Sequence, residues 1–278
     1  MKKFILFLCI MLMSMTSAFA YKTADENIPI DILVNGSFIK AQEPAFIEYD
    51  TVYVPIRFVS DALGADKVIW DEALSQATVQ NGTDTIVLYE GRNDAYVNGK
   101  KVILSASAKI LDSRLFVPAR FIAESFGATV KWDSEYYNVV INKNGINVDS
   151  SNIDKRYTND EVLWLARIIS AESASEPANG KIGVGNVVLN RVRSKNFPNT
   201  IYNVIFDKKD GVQFEPVING TIYNTPTSES VISAKRTLRG ENTVGECLYF
   251  FNPKIATSSW IEKNRTFYKT INNHDFYL

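Results

Sequence analysis

The stretch Thr158-Asn-Asp-Glu-Val-Leu-Trp-Leu-Ala-Arg-Ile-Ile-Ser-Ala-Glu-Ser173 decides how the last part of the chain folds. Thr158 followed by Asp160 and Glu161 is a helix start: a side-chain cap, then acids beside the positive end of the helix dipole. Val162, Leu165, Ile168, Ile169 and Glu172 recur every three or four residues and so share one face. Glu172 ends that apolar stripe. The spacing predicts a helix that buries four aliphatic side chains and points one carboxyl into whatever cleft lies beyond. Desolvation there favours the neutral carboxyl, the form a general acid needs near neutral pH. A solvated glutamate at a fraying helix end is the alternative that spacing leaves open.

Few other residues compete for chemistry. The 278-residue sequence holds two cysteines, one histidine and four methionines. Cys9 and all the methionines lie within residues 1–20, which read as an export signal. Lys2-Lys3 open it, an apolar run extends from Phe4 to Met13, and Ala18-Phe19-Ala20 is a small-residue cleavage site. The run is too short and wrongly flanked to span a bilayer. A secreted, wall-associated chain without stable membrane insertion is therefore expected. Cys247 and His274 remain. One cysteine makes no internal disulfide, so burial alone must hold the fold, and the length suits two domains. Zinc sites call for several His or Cys ligands at short spacing. A Ser-His-Asp triad would depend on His274, near the C-terminus. The formal net charge of −1 includes two signal lysines and argues against nucleic acid, which calls for a basic face. No cofactor and no metal are expected.

Upstream, residues 30–142 repeat themselves. Val34-Asn35-Gly36 recurs as Val97-Asn98-Gly99, and Tyr53-Val-Pro-Ile-Arg-Phe-Val59 as Phe116-Val-Pro-Ala-Arg-Phe-Ile122. Leu63-Gly64-Ala65 recurs as Phe126-Gly127-Ala128, and Trp70-Asp71 as Trp132-Asp133. Such regularity means one supersecondary unit used twice. Asn-Gly between apolar runs is a hairpin turn. Val-Pro ends a strand, and its proline opens a short helix, Ile56–Leu63 or Ala119–Phe126, capped by the following glycine. Two strands follow the first tryptophan, turning at Asn81-Gly82, and Lys143-Asn-Gly145 is expected to do the same in the second copy. The repeats, about 30–94 and 95–148, make a tandem ββαββ-type domain within residues 21–148.

This pattern resembles the copper amine oxidase N-terminal-like domain, a repeated module of exported bacterial proteins. The region has no His, Cys or Met, so the resemblance implies no copper. A spacer or wall-associated module is expected. Polysaccharide binding is the sharper alternative, with Trp70 and Trp132 as stacking rings, although tryptophan at such positions more often belongs to a core. Residues 143–157 are polar and turn-rich, and 149–157 read as a linker.

Beyond the Glu172 helix, residues 158–278 read as mainly helical with short strands. A second helix spans about Ala178 to Ser194. A turn at 196–199 leads to a short helix, Ile201–Phe206, and another helix runs from Thr225-Pro226 to Arg239-Gly240. Strands are expected at Cys247–Pro253 and His274–Leu278. Leu165-Ala166-Arg167, Gly183-Val-Gly-Asn-Val-Val-Leu-Asn-Arg-Val192, Phe197-Pro-Asn-Thr-Ile201, Gln213-Phe214 and Tyr249-Phe-Phe-Asn-Pro253 resemble the SleB/CwlJ cell-wall hydrolases. The resemblance implies an α+β protein whose C-terminal half has a lysozyme-like fold and cleaves peptidoglycan glycan strands by lytic transglycosylation. Its catalytic glutamate falls on Glu172, and Ser173 is its expected hydrogen-bonding neighbour. Gln213 and Phe214 are expected to line the cleft, and Tyr249 and Asn252 to contact saccharide.

Glu215 departs from the pattern, where a small polar residue is expected, and would suit hydrolysis as a second carboxylate. The repeat domain stands where the spore enzymes carry a peptidoglycan-binding domain. Three other readings stay open: a muramidase using that second carboxylate, a wall peptidase with Cys247 as nucleophile and His274 as base, and a non-catalytic wall-binding protein.

Overall fold

The computed structural model describes residues 28–209, 211–256 and 259–278; the export signal expected at 1–20 lies outside them. Both repeats build the same series of elements. The first forms β1 (Asp31–Val34), β2 (Ser37–Phe38), β3 (Phe46–Glu48), β4 (Thr51–Pro55), α1 (Ile56–Ala62), β5 (Lys67–Asp71) and β6 (Gln76–Asn81). A connecting strand follows, β7 (Asp84–Tyr89). The second forms β8 (Asp94–Val97), β9 (Lys100–Ile103), β10 (Lys109–Leu111), β11 (Arg114–Pro118), α2 (Ala119–Ser125), β12 (Thr129–Asp133) and β13 (Asn138–Asn142). The Asn-Gly turns hold φ of 48° and 80° at Asn35-Gly36, and 52° and 76° at Asn98-Gly99. Two successive positive φ values match the twist of a tight hairpin. Pro55 and Pro118 cap the helices from extended backbone.

The repeats exchange their first hairpins. β1 runs parallel to β13, with Asp31 opposite Asn138, while β8–β9 extends the sheet β5-β6-β7. In a third sheet, β4 of the first repeat pairs with β11 of the second. One copy therefore cannot close a core by itself, and a single apolar cluster runs from Ile30 to Ile141. The exchange also corrects one expectation. Lys143-Asn-Gly145 does not turn into a further strand, because β1 occupies the edge of β13 that β7 occupies beside β6. The Asn35 side chain holds this crossing: its Nδ2 donates to the Lys143 carbonyl at 2.8 Å, and its Oδ1 accepts from the Lys143 amide at 2.9 Å.

Residues 149–157, read as a linker, are hydrogen-bonded to the first half. The Lys40 amide donates to the Asn152 carbonyl and the Asp154 amide to the Phe38 carbonyl, both at 2.8 Å. Tyr157 is buried and donates to Asp31 at 2.9 Å.

The second half contains α3 (Asn159–Ser173), α4 (Ala178–Arg193), α5 (Ile201–Ile205), α6 (Glu215–Asn219), α7 (Ser228–Leu238), β14 (Tyr249–Phe251), α8 (Trp260–Asn264), β15 (Phe267–Ile271) and β16 (His274–Tyr277). Thr158 and Glu161 close a reciprocal capping box at the start of α3. Val162, Leu165, Ile168 and Ile169 are buried as the spacing requires. α3 packs on α4 and α7. α4 is buried along most of its length, and two of its glycines allow this. A Cβ on Gly183 would lie 2.8 Å from the Phe276 ring, and one on Gly185 would lie 2.9 Å from Thr237 Oγ1 and 3.0 Å from Ile169. Only hydrogen fits where β16, α3 and α7 press on this helix. α7 begins at Ser228, later than expected, because the Thr227 hydroxyl caps the Ser230 amide. No described helix is long and apolar enough to cross a membrane.

The two halves meet over Phe38, Tyr136 and Tyr137, which pack on the helical core. A buried charge cluster crosses this contact. Asp31 accepts from Lys235 at 2.9 Å and from Arg239 at 2.6 Å. Lys235 is fully buried and also donates to the Tyr136 and Tyr137 carbonyls and to Asn138 Oδ1.

Candidate active site

α3 delivers Glu172 from its last turn to the wall of a cleft of about 550 Å³. Glu176, Arg191, Gln213, Phe214, Glu215, Asn252 and His274 line the same cleft. Each arrives from a different place: Arg191 from α4, Glu215 from the first turn of α6, and His274 from the start of β16. Sequence distances of up to a hundred residues close into one concavity because α3, α4 and the β14-β16-β15 sheet pack on one another.

Glu172 is half-buried, and its pKa is pushed from an ordinary 4.5 up to about 7. Burial is the main cause, the Glu215 charge adds to it, and Arg191 opposes it. A carboxyl in this state carries a proton near neutral pH and can donate it. The loss of that proton should appear as an alkaline limb in kcat/KM near pH 7, checked by a pH–rate profile. Glu215→Gln removes the neighbouring negative charge and should move this limb to lower pH. The same shift has a stability consequence. With a folded pKa above the unfolded one, the contribution of Glu172 is full below about pH 4.5 and is lost as pH rises through about 7.

Arg191 also lines the cleft, and helical spacing does not single it out. It is buried, and its guanidinium packs over the rings of Phe197, Phe214 and Tyr249 at 5.0, 5.2 and 5.6 Å. Nε donates to the Leu248 carbonyl at 2.8 Å, while the buried Nη1 has no protein partner. Burial pulls its pKa down to about 10, which leaves it cationic at neutral pH. It thus supplies a fixed positive charge to the wall of Glu172 and a free donor. Its sequence signal is an arginine directly after Asn190, at the end of the apolar run Val187–Leu189 of α4.

The other expected residues divide. Gln213, Phe214 and Asn252 line the cleft. Phe214 is nearly fully buried, so its ring is mostly wall. Tyr249 stands outside the cleft lining: its hydroxyl accepts from Arg265 at 2.9 Å, and its ring supports Arg191. Ser173 is not part of the cleft lining. It is buried, and its hydroxyl donates to the Ile169 carbonyl at 2.6 Å, a back-bond within α3.

Cys247 and His274 do not form a nucleophile–base pair. The Cys247 side chain is buried with Val187, Val244, Ile271 and Phe276, and burial pushes its thiol up to about 11. A thiol so placed is inert. Cys247→Ala is expected to leave any activity of the Glu172 cleft unchanged, checked by comparing rates of the variant and the wild type. His274 instead faces the cleft, with its buried Nδ1 unpartnered. Burial lowers its pKa, so the ring is neutral near pH 7. Glu176, also buried, is held by the Asn273 side chain at 2.9 Å and by Asn272 at 3.3 Å.

Comparison with known proteins places both halves. Residues 33–141 match the copper amine oxidase N-terminal domain, and residues 175–277 match the cell wall hydrolase family. The second match begins after Glu172, so the assignment of that residue rests on its geometry and chemistry. The spore cortex-lytic enzyme of Bacillus cereus is 36% identical over 126 residues, which are 45% of this chain and 47% of that protein. The chain thus spans about half the length of this curated relative. The cell wall hydrolase CwlJ of Oceanobacillus iheyensis is 32% identical over 107 residues, 36% of this chain and 74% of that protein. The crystallised catalytic domain of the germination-specific lytic transglycosylase SleB from Bacillus anthracis is 36% identical. It is matched over its whole length by 45% of this chain, with a TM-score of 0.42. No His, Cys or Met occurs in the copper amine oxidase-like half, so its donor set does not fit copper.

Proposed function

The chain belongs to the cell wall hydrolase family, and from that premise we propose that it is an exported enzyme that cuts the MurNAc–GlcNAc strand of peptidoglycan by lytic transglycosylation. The observation that carries this reading is Glu172: a carboxyl at the end of a buried apolar helix face, protonated near neutral pH, in a cleft with a cationic wall. Glu172 first protonates the glycosidic oxygen and then, as carboxylate, takes the proton from the C6 hydroxyl of N-acetylmuramic acid. That hydroxyl is already on the substrate, so no water is consumed and the entropic barrier falls. The product is a 1,6-anhydro end. Between the two steps the Arg191 cation stabilises the ionised Glu172.

Glu215 supports the second reading, a muramidase-type hydrolase, because it places another carboxylate in the same cleft. Mass spectrometry of digests of spore cortex and vegetative sacculi separates the two. Anhydro ends, with activity retained in Glu215→Gln, are the expected result. Reducing ends, with activity lost in that variant, would replace transglycosylation by hydrolysis. Running both kinds of sacculi also identifies the wall that is cut.

A further inference from the structure

The repeat domain holds two pockets that are the same pocket built twice. One, of about 550 Å³, is lined by Pro55, Ile56, Arg57, Trp70, Ala77 and Ser113. The other, of about 450 Å³, is lined by Pro118, Ala119, Arg120, Trp132, Val139 and Asp50. Each residue of the first corresponds through the internal repeat to the residue in the same place of the second. Each pocket also needs both repeats. Ser113 comes from the second repeat to a pocket walled by the first, and Asp50 does the reverse. The hairpin turns that bring them match, with φ of 46° and 60° at Tyr49-Asp50 and 45° and 60° at Asp112-Ser113.

The chemistry of the two linings is also shared. A tryptophan stands at each: Trp132 is 40% exposed and Trp70 is half-buried. An exposed arginine, the second residue of α1 and of α2, lines each pocket together with its tryptophan: Arg57 and Arg120. Each pocket carries two cations and one anion, Arg57 and Arg114 with Glu72, and Arg120 and Lys131 with Asp50. Each arginine also faces an acid one turn along its own helix: Arg120 meets Glu124 at 3.5 Å, and Arg57 lies near Asp61. A flat ring, a planar cation and nearby hydroxyl or carboxyl groups suit a sugar ring that bears a carboxylate: its C–H face lies on the indole and its acid meets the guanidinium. Two such pockets on one domain with a shared apolar core suit a ligand that repeats. The second pocket lies close to the domain contact, because Trp132 meets Tyr137 edge-on at 6.0 Å and Tyr137 accepts from Lys235.

We propose that the twin pockets at Trp70 and Trp132 are two equivalent subsites for acidic sugar units of a glycan strand, holding the polymer at two points. The proposal rests on the glycan substrate proposed above and adds a second place of contact to it. Two linked weak sites bind a polymer far more tightly than either alone, and the gain disappears when one is removed.

The test uses the full mature chain carrying Glu172→Gln, so that the polymer is not cut, and peptide-free glycan strands with their lactyl carboxylates free. Co-sedimentation should show binding weakened about a hundredfold by either Trp70→Ala or Trp132→Ala, because either loss removes the two-point hold, and weakened further by both together. Trp132→Tyr, which keeps a ring at the exposed position, should retain binding, and thermal unfolding checks that each variant is folded. With Glu172 restored, the double variant should cleave short soluble muro-oligosaccharides as the parent does. Binding of the folded double variant at the parent's strength overturns the proposal, as does competition by stem peptides but not by glycan strands. If the parent releases no muropeptides yet its binding still depends on both tryptophans, the proposed reaction fails and the twin subsites stand.

Discussion

Glu172→Gln is expected to reduce muropeptide release by at least about 10³-fold while leaving the fold intact. General acid–base groups contribute about 10²–10⁴-fold when they act once, and here one carboxyl acts twice, as acid and then as base. Glutamine keeps the shape of the side chain and removes both proton transfers. The fold survives because α3 is held by Val162, Leu165, Ile168 and Ile169 and by its capping box, none of which involves Glu172. The variant also no longer loses stability between about pH 4.5 and 7, where the wild-type carboxyl ionises in the unfolded chain but stays protonated in the folded one. It should therefore gain relative to wild type when unfolding is measured at pH 8 instead of pH 4. Wild-type rates of muropeptide release from the folded variant would remove Glu172 from the mechanism.

The second large effect is on stability and comes from Asp31→Ala. Asp31 is the shared anion of the domain contact, accepting from Tyr157, Lys235 and Arg239. Removing it strands the fully buried Lys235 ammonium with only neutral oxygens, those of Tyr136, Tyr137 and Asn138. Breaking one partner of a buried ion pair typically costs about 3–5 kcal/mol, because the remaining charge keeps its desolvation penalty. Urea denaturation should show that loss, with the two halves unfolding in separate transitions once their charged contact is gone. Asp31→Asn, which keeps acceptor geometry, should lose less. A midpoint unchanged from wild type in Asp31→Ala would mean that the cluster does not hold the halves together.

Local signals read well where chemistry acts over a few residues. Thr158 and Glu161 marked the start of α3, Asn35-Gly36 and Asn98-Gly99 marked hairpins, and Pro55 and Pro118 marked the points where strands become helices. The apolar period placed Glu172 at the end of its stripe. At Ser173, a buried serine at a helix end satisfies its hydroxyl by bonding back to the Ile169 carbonyl. The Tyr249 ring packs against Arg191 and Arg265, partners that become neighbours only in the folded chain. Arg191 was overlooked because periodicity shows which face a residue occupies but not that three rings and one carbonyl will converge on it.

By itself the sequence established two unlike halves, a duplicated strand-rich unit, and one carboxyl with few chemical rivals, because these follow from composition and short-range spacing. Tertiary structure alone decided how the repeats trade hairpins, how residues 149–157 and the Asp31 cluster bind the halves together, and which side chains surround Glu172. Those outcomes depend on strand edges competing for partners and on charges seeking company out of water. Both are long-range contests that no local pattern encodes.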